Sequence, residues 1–94
     1  MSLSWPPKDP AETLDYDIDW SQRLVTGDTI VSSSWAAMAS GSSLTINSNS
    51  FTTTLTKIWL SGGVLGQKYR LTNTVVTANG DTMVESVSIL IKAK

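Results

Sequence analysis

The stretch from Gly66 to Ile91, GQKYRLTNTVVTANGDTMVESVSILI, constrains this chain more than any other. Two runs of alternating character flank Asn79-Gly80, a dipeptide that favours tight reversal between strands. Alternate residues of a strand share a face. Tyr69, Leu71, Asn73, Val75 and Thr77 therefore lie together, opposed by Arg70, Thr72, Thr74 and Val76. In the second run Val87, Ile89 and Ile91 share one face, and Ser86, Ser88 and Lys92 the other. The pattern predicts antiparallel strands over Tyr69–Thr77 and Met83–Ile91, the last two of a β-sandwich. A type I′ turn joins them, with Asn79 and Gly80 both at positive φ. Leu90 interrupts the alternation, as in a strand covered on its second side by a loop or a partner subunit.

The rest of the chain reads as shorter strands between turns. Residues 1–11, MSLSWPPKDPA, hold all three prolines and predict an extended arm. Trp5 is its large apolar group, free to tuck against the domain or to reach a neighbour. In residues 12–24 period two places Leu14, Tyr16, Ile18 and Trp20 on one face. Asp15, Asp17 and Asp19 take the other, an acidic solvent face on an edge strand. Their D-x-D-x-D spacing invites a calcium reading. The EF-hand loop needs Gly at its sixth position and Glu at its twelfth; here those are Trp20 and Thr26.

Thr26-Gly27-Asp28 is a turn. Thr29–Ala36 follows as a strand, with Val31, Ser33 and Trp35 on one face and small serines making room for the indole. Ala37–Ser42 reads as a loop with Gly41 at its special dihedral, or with a short helical turn over Ala36–Ala39. Leu44–Ile46 is a short strand and Asn47–Ser50 a polar turn. Phe51–Thr56 and Lys57–Leu60 form one long strand or two separated by a bulge, with Ile58 and Leu60 inward. Ser61-Gly62-Gly63 and Gly66 mark turns. About seven strands with regular turn signals predict an all-β sandwich of the immunoglobulin-like or fibronectin-III-like kind, ahead of a small barrel. Tyr69, at the start of its strand, stands where such sandwiches carry a tyrosine corner; a half-buried strand tyrosine is the alternative.

Ninety-four residues suit one domain, here residues 12–94 behind the arm at 1–11. The chain has no Cys and no His, so zinc sites built on Cys, thiolate chemistry and the commonest general base are absent. A catalytic Ser would need Lys as its base. Paired carboxylates fall only between Asp15 and Asp28, on one short strand and its turn. The glycines at 62, 63 and 66 lack the Lys and the helix of a phosphate loop. These absences argue for a non-enzymatic protein without cofactor or metal. No apolar run approaches the ~20 residues of a membrane span, and the N-terminus lacks the pattern of a signal peptide. Residues 1–28 carry a balance of −4 and residues 29–94 one of +3, without a basic cluster suited to nucleic acid. That dipolar layout favours head-to-tail association; chance scatter in a short chain is the simpler reading.

The succession Asp15-Tyr16-x-x-Asp19-Trp20-Ser21-x-x-Leu24, Gly27-Asp28-Thr29-Ile30, Ser34-Trp35, Trp59-Leu60-Ser61-Gly62-Gly63, Gly66-x-x-Tyr69 and Leu71-Thr72-Asn73-Thr74, with Thr77 and Gly80, resembles small structural proteins of tailed phages and prophages. These are described as fibre–tail adaptor or head–tail-region proteins. The resemblance runs from about Asp9 to Ile91. It implies a virion or tail component, present in the host cytoplasm during assembly, that binds other phage structural proteins, with a homo-oligomer as a further option. It carries over no catalytic or ligand residues. Contacts are then expected from Trp5, from Asp15, Asp17 and Asp19, and from the Gly62-Gly63 turn. Trp20, Trp35, Tyr69, Asn79 and Gly80 are expected to serve structure. A second reading takes Trp5, Tyr16, Trp20, Trp35 and Trp59 as a platform for glycan or cell-surface binding, which needs two or three of them exposed together.

Overall fold

In the computed structural model, which describes residues 3–38 and 44–94, the chain is all-β. Its strands are β1 (Leu3–Ser4), β2 (Thr13–Asp19), β3 (Ile30–Met38), β4 (Leu44–Phe51), β5 (Leu55–Gly62), β6 (Lys68–Thr77) and β7 (Thr82–Leu90). No helix occurs among the described residues. One sheet has the order β1-β7-β6-β3, the other β2-β5-β4. Among the described residues the strands thus divide between two sheets and do not close into a barrel. Six of them pair antiparallel. The seventh is β1 in the proline-rich arm, and it runs parallel to β7 through Leu3–Val87 and Ser4–Ser88.

The core follows the period-two pattern. Tyr69, Leu71, Asn73, Val75 and Thr77 of β6 are all buried, as are Thr56, Ile58 and Leu60 of β5. Val87, Ile89 and Ile91 complete the four-stranded sheet's inner face, and Ile18 and Trp20 come from β2 and the turn after it. Each fully buried aliphatic side chain contributes about 1.5–3 kcal/mol by leaving water.

Several local expectations are corrected. The Asn79-Gly80 turn is not type I′, because Gly80 has φ 92° while no described non-glycine residue has positive φ. Gly80 N–H donates to Thr77 O at 2.9 Å, and Thr77 N–H to Asp81 O at 2.9 Å. This is a three-residue loop: a turn through Ala78-Asn79, then Gly80 in the left-handed region. Contacts from outside the hairpin hold it, since Ala78 N–H donates to Thr29 O and Asn79 N–H to Asp28 Oδ1.

Asn47–Ser50 is not a turn but the second half of β4, where a register shift between Ile46 and Ser48 absorbs one residue. The reversal falls instead at residues 52–54, so Phe51 ends β4 and Leu55 begins β5. β5 continues through Ser61-Gly62, and β3 through Ala36-Ala37 to Met38; Ala39–Ser42, with Gly41, lies outside the described residues. Val31 does not share a face with Trp35. A register shift between Ile30 and Ser32 resets the alternation, so Ile30 is buried while Val31 is exposed.

The arm is built into the fold beyond β1. Lys8 bridges to Ile91 and is fully buried. Its Nζ donates to Gly62 O at 2.7 Å and Asp9 O at 2.9 Å, which offsets removing an ammonium from water. Burial pushes this amine below its ordinary value, against the opposing pull of Glu12 and Asp9. Asp9 and Glu12 also hold the C-terminus: Lys94 N–H donates to Asp9 Oδ2, and Lys94 Nζ sits 3.1 Å from Glu12 Oε1.

Candidate functional site

The outer face of the β2-β5-β4 sheet gathers the most exposed chemistry. β2 is its edge, and the alternation that buries Ile18 turns Asp15, Asp17 and Asp19 to solvent. In the neighbouring strand the same parity turns out Lys57 and Trp59, with Asp15 opposite Trp59 and Asp17 opposite Lys57. Trp59 is 39% exposed although tryptophan is ordinarily well buried. On its other side stands Ser48, brought opposite by the shift in β4. Lys57 Nζ lies 3.3 Å from Asp15 Oδ2, leaving Asp17 and Asp19 to set an acidic rim. Asp19 Oδ1 accepts the Ser21 amide at 2.9 Å, which holds its carboxyl below the ordinary range. The three aspartates do not converge: no group of three or more acidic side chains arranged to hold a metal occurs among the described residues.

The other residues singled out by sequence lie elsewhere. Trp5 is half-buried; its ring stacks on Tyr16 at 4.7 Å and 17°, and its Nε1 donates to Asp17 O at 3.3 Å. Trp35 packs nearby at 6.0 Å. These three form an aromatic group against the core rather than an exposed platform. Phe51, also exposed, falls on the opposite parity from Trp59 by register. Gly62 and Gly63 do not form a free turn. Gly62 accepts the Lys8 ammonium, and Gly63 (φ 100°) lies against Ile91. Tyr69 is buried, and its Oη accepts the Val64 amide at 3.0 Å.

Sequence reasoning missed a buried polar cluster that spans the sandwich. Asn73 Oδ1 accepts Thr56 Oγ1–H at 2.6 Å and Trp20 Nε1–H at 3.1 Å. Its Nδ2 donates to Ser33 Oγ and Ser34 O, both at 2.9 Å. Trp20 Nε1 also reaches Thr56 Oγ1 at 3.0 Å. Over the Trp20 ring lies the Arg23 guanidinium, paired with Glu85. The available signal was a polar residue at an inward position in each of three strands: Ser33, Thr56 and Asn73.

Charge segregation along the sequence is partly cancelled in space. Lys57–Asp15 and Lys94–Glu12 each join an acid of residues 1–28 to a base of residues 29–94. Backbone amides do the rest. Asp9 is held below its ordinary value by the Ala11 and Lys94 amides, and Glu12 by the Asp9 amide and the Lys94 side chain. For Asp28 burial alone would raise the value, but the Thr77 hydroxyl and the Thr29, Asn79 and Ala78 amides outweigh it. Depressed folded-state values mean that the unfolded chain takes up protons first on acidification. Stability from these groups is therefore full above their ordinary 3.8 and 4.5 and is lost as pH falls through the folded values. Urea midpoints followed by tryptophan fluorescence are expected to be level from pH 7 to about 5 and to fall below about 4, less steeply in Asp28→Asn. A midpoint that rises on acidification contradicts this.

Residues 8–90 match the family model described as podophage GP4 fiber-tail adaptor protein gp77. No curated protein matches the chain.

Proposed function

We propose that this chain, which belongs to the podophage GP4 fiber-tail adaptor family, joins tail components by protein–protein contact and catalyses no reaction. It is a phage tail structural protein. The observation that carries the contact mode is the outer face of β2-β5-β4: an exposed Trp59 beside the acidic row Asp15, Asp17 and Asp19. Partly exposed aromatics ringed by polar groups are common anchors of protein interfaces. A partner docking here presents an apolar pocket for the indole and basic groups for the aspartates. The scaffold is of the immunoglobulin-like kind. Support comes from the strand order of the two sheets and from the Tyr69 hydroxyl bonded back to Val64, as a tyrosine corner is. Virion location follows from this reading.

The test is pull-down and calorimetric titration against the purified fibre and tail products of the same phage. Wild-type protein is expected to bind at least one of them. Trp59→Ala should weaken that complex at least about tenfold, a hot-spot-sized loss. Asp15→Lys with Asp17→Lys should slow association and reduce its salt dependence. Unchanged affinity in both variants, with the fold intact by circular dichroism, assigns the contact to another surface. Binding to no tail product removes the proposal.

A further inference from the structure

We propose that the free edge of β3 pairs with β3 of a second copy of this chain, antiparallel across a two-fold axis. Two four-stranded sheets would then join into one of eight strands. β3 ends the order β1-β7-β6-β3, with β6 as its neighbour. An edge strand presents a row of backbone N–H and C=O groups that lack ladder partners, and proteins ordinarily guard it with charge, proline, brevity or a bulge. The edges on the other flank of the sandwich are guarded. β2 carries Asp15, Asp17 and Asp19, while β1 has only two residues and is followed closely by Pro6-Pro7.

The β3 flank differs. From Thr29 to Thr56 there is no Asp, Glu, Lys or Arg, although the rest of the chain holds all fifteen charged residues. This neutral segment supplies both β3 and β4. The exposed side chains along β3 are Val31, Ser32, Ser34 and Ala36, all uncharged.

Neutrality selects the occupant. In a two-fold interface each edge meets itself, so a charge on it confronts its own copy. Selection of a foreign strand by complementary charge has nothing to act on at this edge. The position of the bulges selects β3 over β4. The shift in β3 lies at its start, between Ile30 and Ser32, leaving residues 32–38 in unbroken register. Seven such residues extend about 23 Å. In β4 the shift falls mid-strand, between Ile46 and Ser48. Self-pairing needs no tail component, so its test is independent of the adaptor contact.

Sedimentation and light scattering of the isolated protein, up to about 1 mM, should show a concentration-dependent dimer near twice the 10.1 kDa chain. Ala36→Lys and Ser32→Lys place a charge on the edge and are expected to weaken the dimer at least about tenfold. Because the chain has no cysteine, single-cysteine variants report the geometry. Under oxidant, Ser34→Cys should give a disulfide-linked dimer in high yield, and Ser50→Cys on β4 or Asp17→Cys on β2 should not. The cysteine series also decides the matter if a lysine variant fails to fold. A monomer throughout the concentration range overturns the proposal. So does a dimer that crosslinks best through β4 or β2, or one indifferent to the β3 lysines.

Discussion

Asn73→Ala should lower the stability of this domain by about 3–5 kcal/mol. Asn73 is fully buried and uses both ends of its amide: two donors reach Oδ1 and two acceptors receive Nδ2. Truncation leaves a cavity, deprives the Thr56 hydroxyl of its 2.6 Å acceptor and strips Ser34 O of its side-chain donor. The orphaned Thr56 hydroxyl, fully buried, costs roughly 1–3 kcal/mol, and the part-buried Ser34 O costs less. Set against the ~5–14 kcal/mol typical of a domain this size, the loss is a large share. It reads as a urea-midpoint shift of about 2–3 M. Thr56→Val alone should cost less, and adding it to Asn73→Ala should cost less than the sum, since both remove the same bond. Asn73→Asp tests the chemistry instead of the volume. The introduced carboxylate keeps the acceptor for Trp20 and Thr56 but faces Ser34 O without a donor, so destabilisation should ease as the pH is lowered and it protonates. A midpoint change under about 0.5 M in Asn73→Ala would show the cluster to be dispensable.

Gly63→Ala should cost about 2–5 kcal/mol, from two sources that glycine controls can separate. An added Cβ would sit 2.7 Å from Ile91 Cγ1 and 2.8 Å from Cδ1, and Ile91 is fully buried with little room to move. Overpacking of that kind costs about 1–3 kcal/mol. The positive φ of 100° adds strain of about 1–2 kcal/mol for a residue with Cβ. Gly66 has φ 86° but open space around its Cβ position. Gly66→Ala therefore measures strain alone and is expected to cost about 1 kcal/mol. Ile91→Ala removes both clashing atoms, so in that background the extra penalty of Gly63→Ala over Gly66→Ala should largely vanish. Thermal melts of the four variants decide it. Equal penalties at 63 and 66 in the wild-type background would mean that the Ile91 contact carries no cost.

Both predictions concern positions whose role the sequence alone does not reveal. Gly62 and Gly63 were expected to offer contacts to a partner. The fold spends them internally, Gly62 O on the buried Lys8 and Gly63 on Ile91. Asn73 falls in the inward row that alternation assigns to β6, yet nothing in that row marks it out. Its partners Trp20, Thr56 and Ser33 lie 53, 17 and 40 residues away, and no local pattern announces such a meeting. The candidate surface was half legible. The acidic face of Asp15, Asp17 and Asp19 follows from alternation within one strand. Its link to Trp59 depends on the β2–β5 pairing, which no short-range signal specifies.

The amino-acid sequence by itself determined that the chain is β, which residues of β2, β5, β6 and β7 face inward, and where most reversals fall. Those properties rest on a two-residue period and on glycine and asparagine, and both act within a few positions. Only the tertiary structure decided the parallel docking of β1, the burial of Lys8, the bulges that extend β4 and turn Val31 outward, and the three-residue loop at Gly80. Each depends on a hydrogen-bond partner far along the chain, as with Asp28 and Thr29 at the loop between β6 and β7. A strand's own periodicity carries no information about which distant backbone will satisfy its N–H and C=O groups.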